Sequence, residues 1–510
     1  MKRTLAIVLL LLCGLFSFAQ KIGDSLFAPL RSTKSYLIAD YDEKDADFLK
    51  EKCRQAGLDW GLSVLANRVP TKSKWVSPKP SKHLLKQGVL QLQLPIDERQ
   101  TEFAVLHSEL FAQPATINVL QIDDELVTYR TTEVSGDIHL FYHCTRGAFG
   151  TKAVAHSKNA RVYKLWDTPE RTLLPDFELQ NQMAQAAAKE YAKTDFDLLI
   201  FNDLKSYAYN EYGDEAIRHF LDTMRKYNPD KILQADLLTP ASWPYLSRIN
   251  ENEVWNETMR NKIIETHTEK QEFYCKNLIP CMIGNFQILL ADKNRKATSL
   301  EELEWFLSKA VAFDAGFGLD FSAETMHKHG LTDEFLNSIN CWESLRHGNA
   351  FTEAQKEEFK DPYGNWHIEK SDDSTYLLYN QHISRRYFCN FTDDTWEWYT
   401  PNSSRFALQI AVEGKGSISE LEFRTPNGIL YLPCTLKAGH YLVLDFDKSA
   451  HITDLNFNTI QEIEAQGVSY LDQGVSQVKF TCEVKAKDQK QPEVTIRYIT
   501  RGKGEEIITP

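Results

Sequence analysis

The chain has 510 residues, 42% of them hydrophobic and 25% charged, with a formal net charge of -13 at pH 7. That length exceeds one compact core and predicts two or three domains. The acidic balance argues against nucleic acid or an anionic membrane as the main partner, because both are held by clusters of Lys and Arg.

The chain opens Met1-Lys2-Arg3, runs through apolar Leu5 to Leu12 and on to Phe16, and reaches Ser17-Phe18-Ala19. These are the charged, apolar and small-residue parts of a secretory signal peptide over residues 1–20, which predicts a mature start near Gln20 or Lys21 and a periplasmic or secreted location. Three leucines precede Cys13, where a bacterial lipoprotein signal wants a small residue, so no lipid anchor is expected. No later segment approaches ~18 consecutive apolar residues, and no membrane span is expected. Eight cysteines remain, too thinly spread for a disulfide scaffold and without a Cys-x-x-Cys. Cys275 and Cys281 are close enough for a local disulfide, with buried free thiols as the alternative.

From Tyr36 strand-like and helix-like pieces alternate. Tyr36 to Asp40 reads as a strand, Asp45 to Ala56 as an amphipathic helix ending at Gly57, and Trp60 to Leu65 as a second strand. After a Pro- and Lys-rich break from Val69 to Pro80, short alternating segments such as Ile117 to Ile122, Leu126 to Arg130 and Ile138 to Tyr142 mark an inserted β module at about 82–165. The α/β pattern then resumes. A helix begins at Pro175-Asp176, the apolar run Asp195 to Phe201 stops abruptly at Asn202 and Asp203, and a helix carries Ile217, Phe220, Leu221 and Met224 on one face. Lys231 to Leu238 and Leu278 to Phe286 read as strands and Val311 to Leu319 leads into another, with helices from about Glu251 to Lys270, from the Ser299-Leu-Glu-Glu302 capping box, and from Asp333 to Leu345. Six strands with short helical links fit a (β/α)8 TIM-like barrel over 21–365. From about Trp366 helical periodicity vanishes, and short strands between Gly, Asp and Asn turns predict a C-terminal β-sandwich over 366–510.

In a parallel barrel, polar residues at the carboxyl ends of strands face the substrate mouth. Those ends supply Asp40, Asn202, Asp203, Asp236, Asn285, Asp320 and Glu324. Carboxylates converging on one rim are what glycoside hydrolysis requires, one as acid and one as nucleophile or base. Capping of the following helices is the structural alternative for each. Thr239 to Arg248 combines Trp243, Tyr245 and Arg248 in one stretch, suited to stacking on sugar rings and to holding hydroxyls or carboxylates; Tyr207 and Tyr209 could serve similarly. His327-Lys-His329 is read as a solvated helix end rather than a metal site, and Gly147-Ala-Phe-Gly150 as a turn rather than a phosphate loop. There is no His-Glu-x-x-His and no Gly-x-Ser-x-Gly, and no metal or cofactor is expected.

Three stretches carry a family resemblance: Cys144-Thr-Arg-Gly-Ala-Phe-Gly-Thr151 with Ala155-His156, the strand around Phe201, and Leu436-Lys-Ala-Gly-His-Tyr-Leu-Val-Leu444. In these the chain resembles exported glycoside-hydrolase-like (β/α)8-barrel proteins of Bacteroidota type with a C-terminal β-sandwich. The resemblance implies a strand ending Phe-Asp-Gly followed closely by Glu. Here Asn202 stands where the Asp is expected, and Lys205 falls near the expected Glu.

The leading expectation is an exported glycosidase acting on a complex glycan, with Asp203 and Asp236 catalytic. Asn202, Tyr207, Trp243, Arg248, Asn285, Asp320 and Glu324 are the expected substrate contacts. A non-catalytic glycan-binding barrel is the alternative, motivated by Asn202 and Lys205. A polysaccharide lyase is a third reading, with Tyr207 or a His as base and Arg248 neutralising a uronate.

Overall fold

The computed structural model describes residues 34–40, 45–64, 67–106, 116–249, 260–276, 282–372, 374–388, 395–487 and 491–508. The expected signal peptide lies outside them, as do the side chains of Asp40, Cys275 and Cys281. Among the described residues no helix is long and apolar enough to cross a membrane. The chain divides into two compact units, Met1–Leu62 with Asn252–Pro510, and Ser63–Glu251.

In the first unit, strand Gly316–Asp320 pairs in parallel with Tyr36–Asp40 on one side and Met282–Gln287 on the other. The strand Asp59–Val64, whose last two residues belong to the second unit, follows Tyr36–Asp40 in the sheet order. Gly318 makes this pairing possible, since a Cβ there would stand 2.2 Å from Asn285 Oδ1 and 2.3 Å from Ile38 Cδ1. The helix Ala46–Ala56 stops where the sequence predicts, at Gly57, whose φ of 65° places it in the left-handed region. The Leu300–Ala312 helix opens with the expected Ser299 and Glu302 capping box. It is buried on most of its faces and keeps Val311 and Ala312 helical, and the strand that Val311 to Leu319 leads into spans Gly316–Asp320.

In the second unit, Leu198–Phe201 pairs in parallel with Ile232–Ala235, which pairs in parallel with Arg248–Ile249. All four residues Leu198 to Phe201 are buried, the continuous apolar run of a strand covered on both faces. The flanking helices are Phe177–Tyr191, capped by the Asp176 side chain, and Asp214–Tyr227, which buries Ile217, Phe220, Leu221 and Met224 as its periodicity predicts. Among the described residues the α/β part therefore has seven strands, one fewer than a (β/α)8 barrel needs. The strand missed by pattern reading is Arg248–Ile249, two residues long, too short to leave a periodic signal.

The β module also lies in the second unit, as small antiparallel sheets around two apolar clusters. Its motif Cys144 to Thr151 has a physical account. Gly147 to Gly150 is a tight turn, and Gly147 at φ 59° admits no side chain, since a Cβ would lie 2.8 Å from Thr151 O. Beside this turn Glu125, fully buried, accepts from Arg146 Nε and Nη2 at 2.7 and 2.8 Å and bonds His156 Nε2 at 2.8 Å. It also accepts the backbone N–H groups of Gly147 and Val154.

From Asn365 onward the chain is antiparallel β-structure. An eight-stranded and a five-stranded sheet share one core that includes Trp398, Phe406, Phe423 and Phe480. One ion network joins this region to the helix Leu300–Ala312. His367 Nδ1 lies 2.8 Å from Glu304 Oε2, and Arg501 donates to Glu369 at 2.6 Å. Burial alone would lower the His367 pKa, but the Glu304 charge and the hydrogen bonds to Glu304 and Glu369 raise it to about 9 from an ordinary 6.5. A raised folded value makes this contribution complete below pH 6.5 and removes it as pH climbs through 9. Urea unfolding at pH 6 and pH 9.5 should show the loss, and His367→Phe should flatten that part of the profile; an unchanged slope in the variant counts against the assignment.

Candidate active site

The strand Leu198–Phe201 ends in a polar cluster within the second unit. Asn202 donates from its backbone N–H to Val64 O at 3.2 Å and from Nδ2 to Ser63 Oγ at 2.8 Å, tying this strand end to that of Asp59–Val64. Asp203 follows with φ 60° and ψ 43°, a left-handed conformation that Asp tolerates better than most residues. At this turn the backbone N–H groups of Asp203 and Leu204 point toward the adjacent strand end. Asp236, just beyond Ile232–Ala235, accepts Asp203 N at 2.7 Å on Oδ2 and Leu204 N at 3.0 Å on Oδ1.

The Asp203 carboxylate is bound by Arg68 Nη2, and the same nitrogen lies 3.5 Å from Glu170 Oε2. Arg68 is largely covered at 10% exposure, whereas Asp203 keeps 33% and Glu170 46%. One guanidinium thus stands between two carboxylates that reach solvent. Hydrogen bonding, first from Thr168, holds Glu170 below its ordinary pKa. Asn67 Nδ2 donates to Ser206 Oγ at 3.0 Å, and Ser206 Oγ donates to Asp203 O at 2.9 Å, which fixes the turn from its other side.

Strand ends thus bring together Asn202, Asp203 and Asp236, three of the residues singled out from the sequence. Arg68, Glu170, Ser63 and Asn67 were not singled out. Asn67 and Arg68 stand three and four positions beyond Val64, where that strand ends, and the strand-end rule could have found them. Glu170 sits in the loop after the β module and left no such signal.

The remaining expected contacts are placed differently. Trp243 is 41% exposed in the Thr239 to Ser247 loop, so its face is open to a ligand. Arg248 is a strand residue, not a loop residue, and is completely buried. Tyr207 is also buried, packed against Phe220 with ring centroids 4.2 Å apart, and burial raises its pKa well above the ordinary value. A neutral, enclosed phenol cannot serve as a lyase base, which corrects that role for Tyr207. Tyr209, 42% exposed, stacks on Trp166.

Asn285, Asp320 and Glu324 belong to the first unit. Asn285 lies against Gly318, and Asp320 Oδ2 accepts from Gln287 at 2.8 Å. Glu324 projects into solvent from a short helix, paired with Lys328 four residues on, which is a helix-surface ion pair rather than a rim carboxylate. His327 stacks on Phe48, and both ring nitrogens of buried His329 meet backbone groups, of Thr298 and Leu331. Among the described residues no group of three or more His, Cys, Asp or Glu is placed to hold a metal ion.

No protein-family model and no curated protein matches the chain. Solved structures similar to it include a variant of a GH27 β-L-arabinopyranosidase from Geobacillus stearothermophilus in complex with arabinose. It is 8% identical, over 90% of this chain and 91% of that one, with a TM-score of 0.29. A debranching enzyme from Nostoc punctiforme is 10% identical over 90% and 87%, TM-score 0.29. An Anoxybacillus alpha-amylase is 10% identical over 61% and 65%, TM-score 0.23. These likenesses are too weak to bear on the chemistry of the strand-end cluster.

Proposed function

We propose that the protein is an exported glycoside hydrolase acting on a complex glycan, with Asp203 and Asp236 as its catalytic carboxylates and Trp243 and Asn202 as sugar contacts. The observation that carries this reading is the convergence of Asp203 and Asp236, from successive parallel strands, on one partly open rim beside Arg68. Such a rim offers both groups that glycosidic cleavage needs, one to protonate the leaving oxygen and one to attack or to activate water. Asp203, which is ion-paired with Arg68, is assigned the nucleophile or base role.

A second reading, a glycan-binding barrel without turnover, has its own support. Both oxygens of Asp236 are engaged by backbone N–H groups, and Asn202 carries an amide that bonds Ser63. Incubation with plant and bacterial polysaccharides, followed by chromatography of released sugars, separates the two. Product in stoichiometric excess supports the hydrolase; retention of a glycan on the protein with no released sugar supports the binding barrel.

A further inference from the structure

A cavity of about 1150 Å³ lies wholly within the first unit and shares no lining residue with the strand-end cluster. Its floor is the face of the eight-stranded sheet that points away from the sandwich core. On strand Thr375–Phe388, Ile383, Arg385 and Tyr387 point into it, while Phe388 belongs to the core on the opposite face. Strand register aligns the floor in rows. Arg385 is directly opposite Arg497, which is opposite Gln409; the next row is Tyr387, Thr495 and Ala411.

The wall opposite is formed by the start of the Leu300–Ala312 helix, with Glu301, and by the segment Tyr363 to Asn365. The lining is held in place before any ligand arrives. Arg497 donates to Gln409 Oε1 at 2.6 Å and lies 3.6 Å from Glu301, and Asn261 Nδ2 donates to the Tyr363 hydroxyl at 2.8 Å. Three tyrosines stand open around the cavity, Tyr363 at 71%, Tyr387 at 67% and Tyr399 at 48% exposure. Cations and carboxylates nearly balance along the lining, with Arg260, Lys296, Arg385 and Arg497 facing Glu301, Glu302 and Asp361.

A polyanion would find carboxylates against it, and an apolar ligand would find guanidinium and amide groups. Open aromatic faces beside fixed planar donors and acceptors suit a ligand with apolar C–H faces and many hydroxyls. We infer that this cavity is a second glycan site, taking a neutral oligosaccharide of several rings across Tyr387 and Arg385. The choice of a sugar over other polyhydroxylated ligands rests on the function proposed above, whereas the site itself does not depend on turnover.

Titration calorimetry of the full chain with cellohexaose, xylohexaose, mannohexaose, maltohexaose and arabinohexaose tests it. At least one probe is expected to bind with a Kd below 1 mM, and Tyr387→Ala and Arg385→Ala should each weaken that probe at least about tenfold. Both residues are exposed, and an unchanged urea midpoint would show that the variants fold. Asp203→Asn should leave this binding intact. Absence of binding by all five probes overturns the inference. So does binding that Asp203→Asn or Trp243→Ala abolishes while the cavity variants retain it, an outcome that would leave the strand-end reading standing.

Discussion

Asp203→Asn is expected to lower kcat on a cleaved glycan by roughly 10²–10⁴-fold while leaving the folded state almost unchanged. Among the described residues the side chain of Asp203 accepts no backbone N–H; it meets Arg68, and the left-handed turn at φ 60° suits Asn as well as Asp. The ion pair that is lost is part exposed, so its removal should cost no more than about 1 kcal/mol. Asp236→Asn should behave differently. One of its two acceptor oxygens becomes an NH₂ group facing a backbone N–H of Asp203 or Leu204, which costs about 1–3 kcal/mol and loosens the turn that carries Asp203. Turnover and the urea midpoint measured on both variants separate the two roles. A large kcat loss with an unmoved midpoint marks Asp203 as chemical, and a paired loss marks Asp236 as at least partly a positioning residue. A kcat within twofold of the parent in both variants sinks the catalytic assignment.

Glu125→Ala should produce the largest loss of stability in the second unit, about 3–5 kcal/mol. It leaves Arg146, 5% exposed, and fully buried His156 without their shared carboxylate. Burial pushes the Glu125 pKa up, but hydrogen bonds from His156, then Arg146, Gly147 and Val154 overcome it and hold the group at about 2, against an ordinary 4.5. A lowered folded value means that this stabilisation is complete above pH 4.5 and disappears as pH falls through 2. Urea unfolding of Glu125→Gln should lose that acid dependence as well as stability. Hydrogen exchange should show the loss first at Gly147 and Val154, whose N–H groups Glu125 accepts. Retained protection at both amides would mean that the turn does not need the carboxylate.

Much of the α/β part was legible because its signals are local. The capping box at Ser299, the Asp176 cap, the Gly57 stop and the buried run Leu198 to Phe201 each depend on residues within a few positions. The Arg248–Ile249 strand was not legible, because two residues owe their extended form to a neighbouring strand rather than to their own pattern. The same limit separates the expected contacts. Trp243 and Arg248 are five residues apart and look alike as sugar contacts, yet one is open and the other completely enclosed.

By itself the sequence determined the kinds of segment, the polar stop after Phe201 and the carboxylates at strand ends, since these follow from periodicity and from local steric and capping preferences. Only the tertiary structure decided what each polar group faces. It gave Asp203 a guanidinium from Arg68 and spent both oxygens of Asp236 on backbone N–H groups. It also turned the motif around Arg146 and His156 into a buried ion cluster on Glu125. Those partners lie 21 to 135 residues apart, and a charge takes its energy from whatever packing brings near it, which no local pattern encodes.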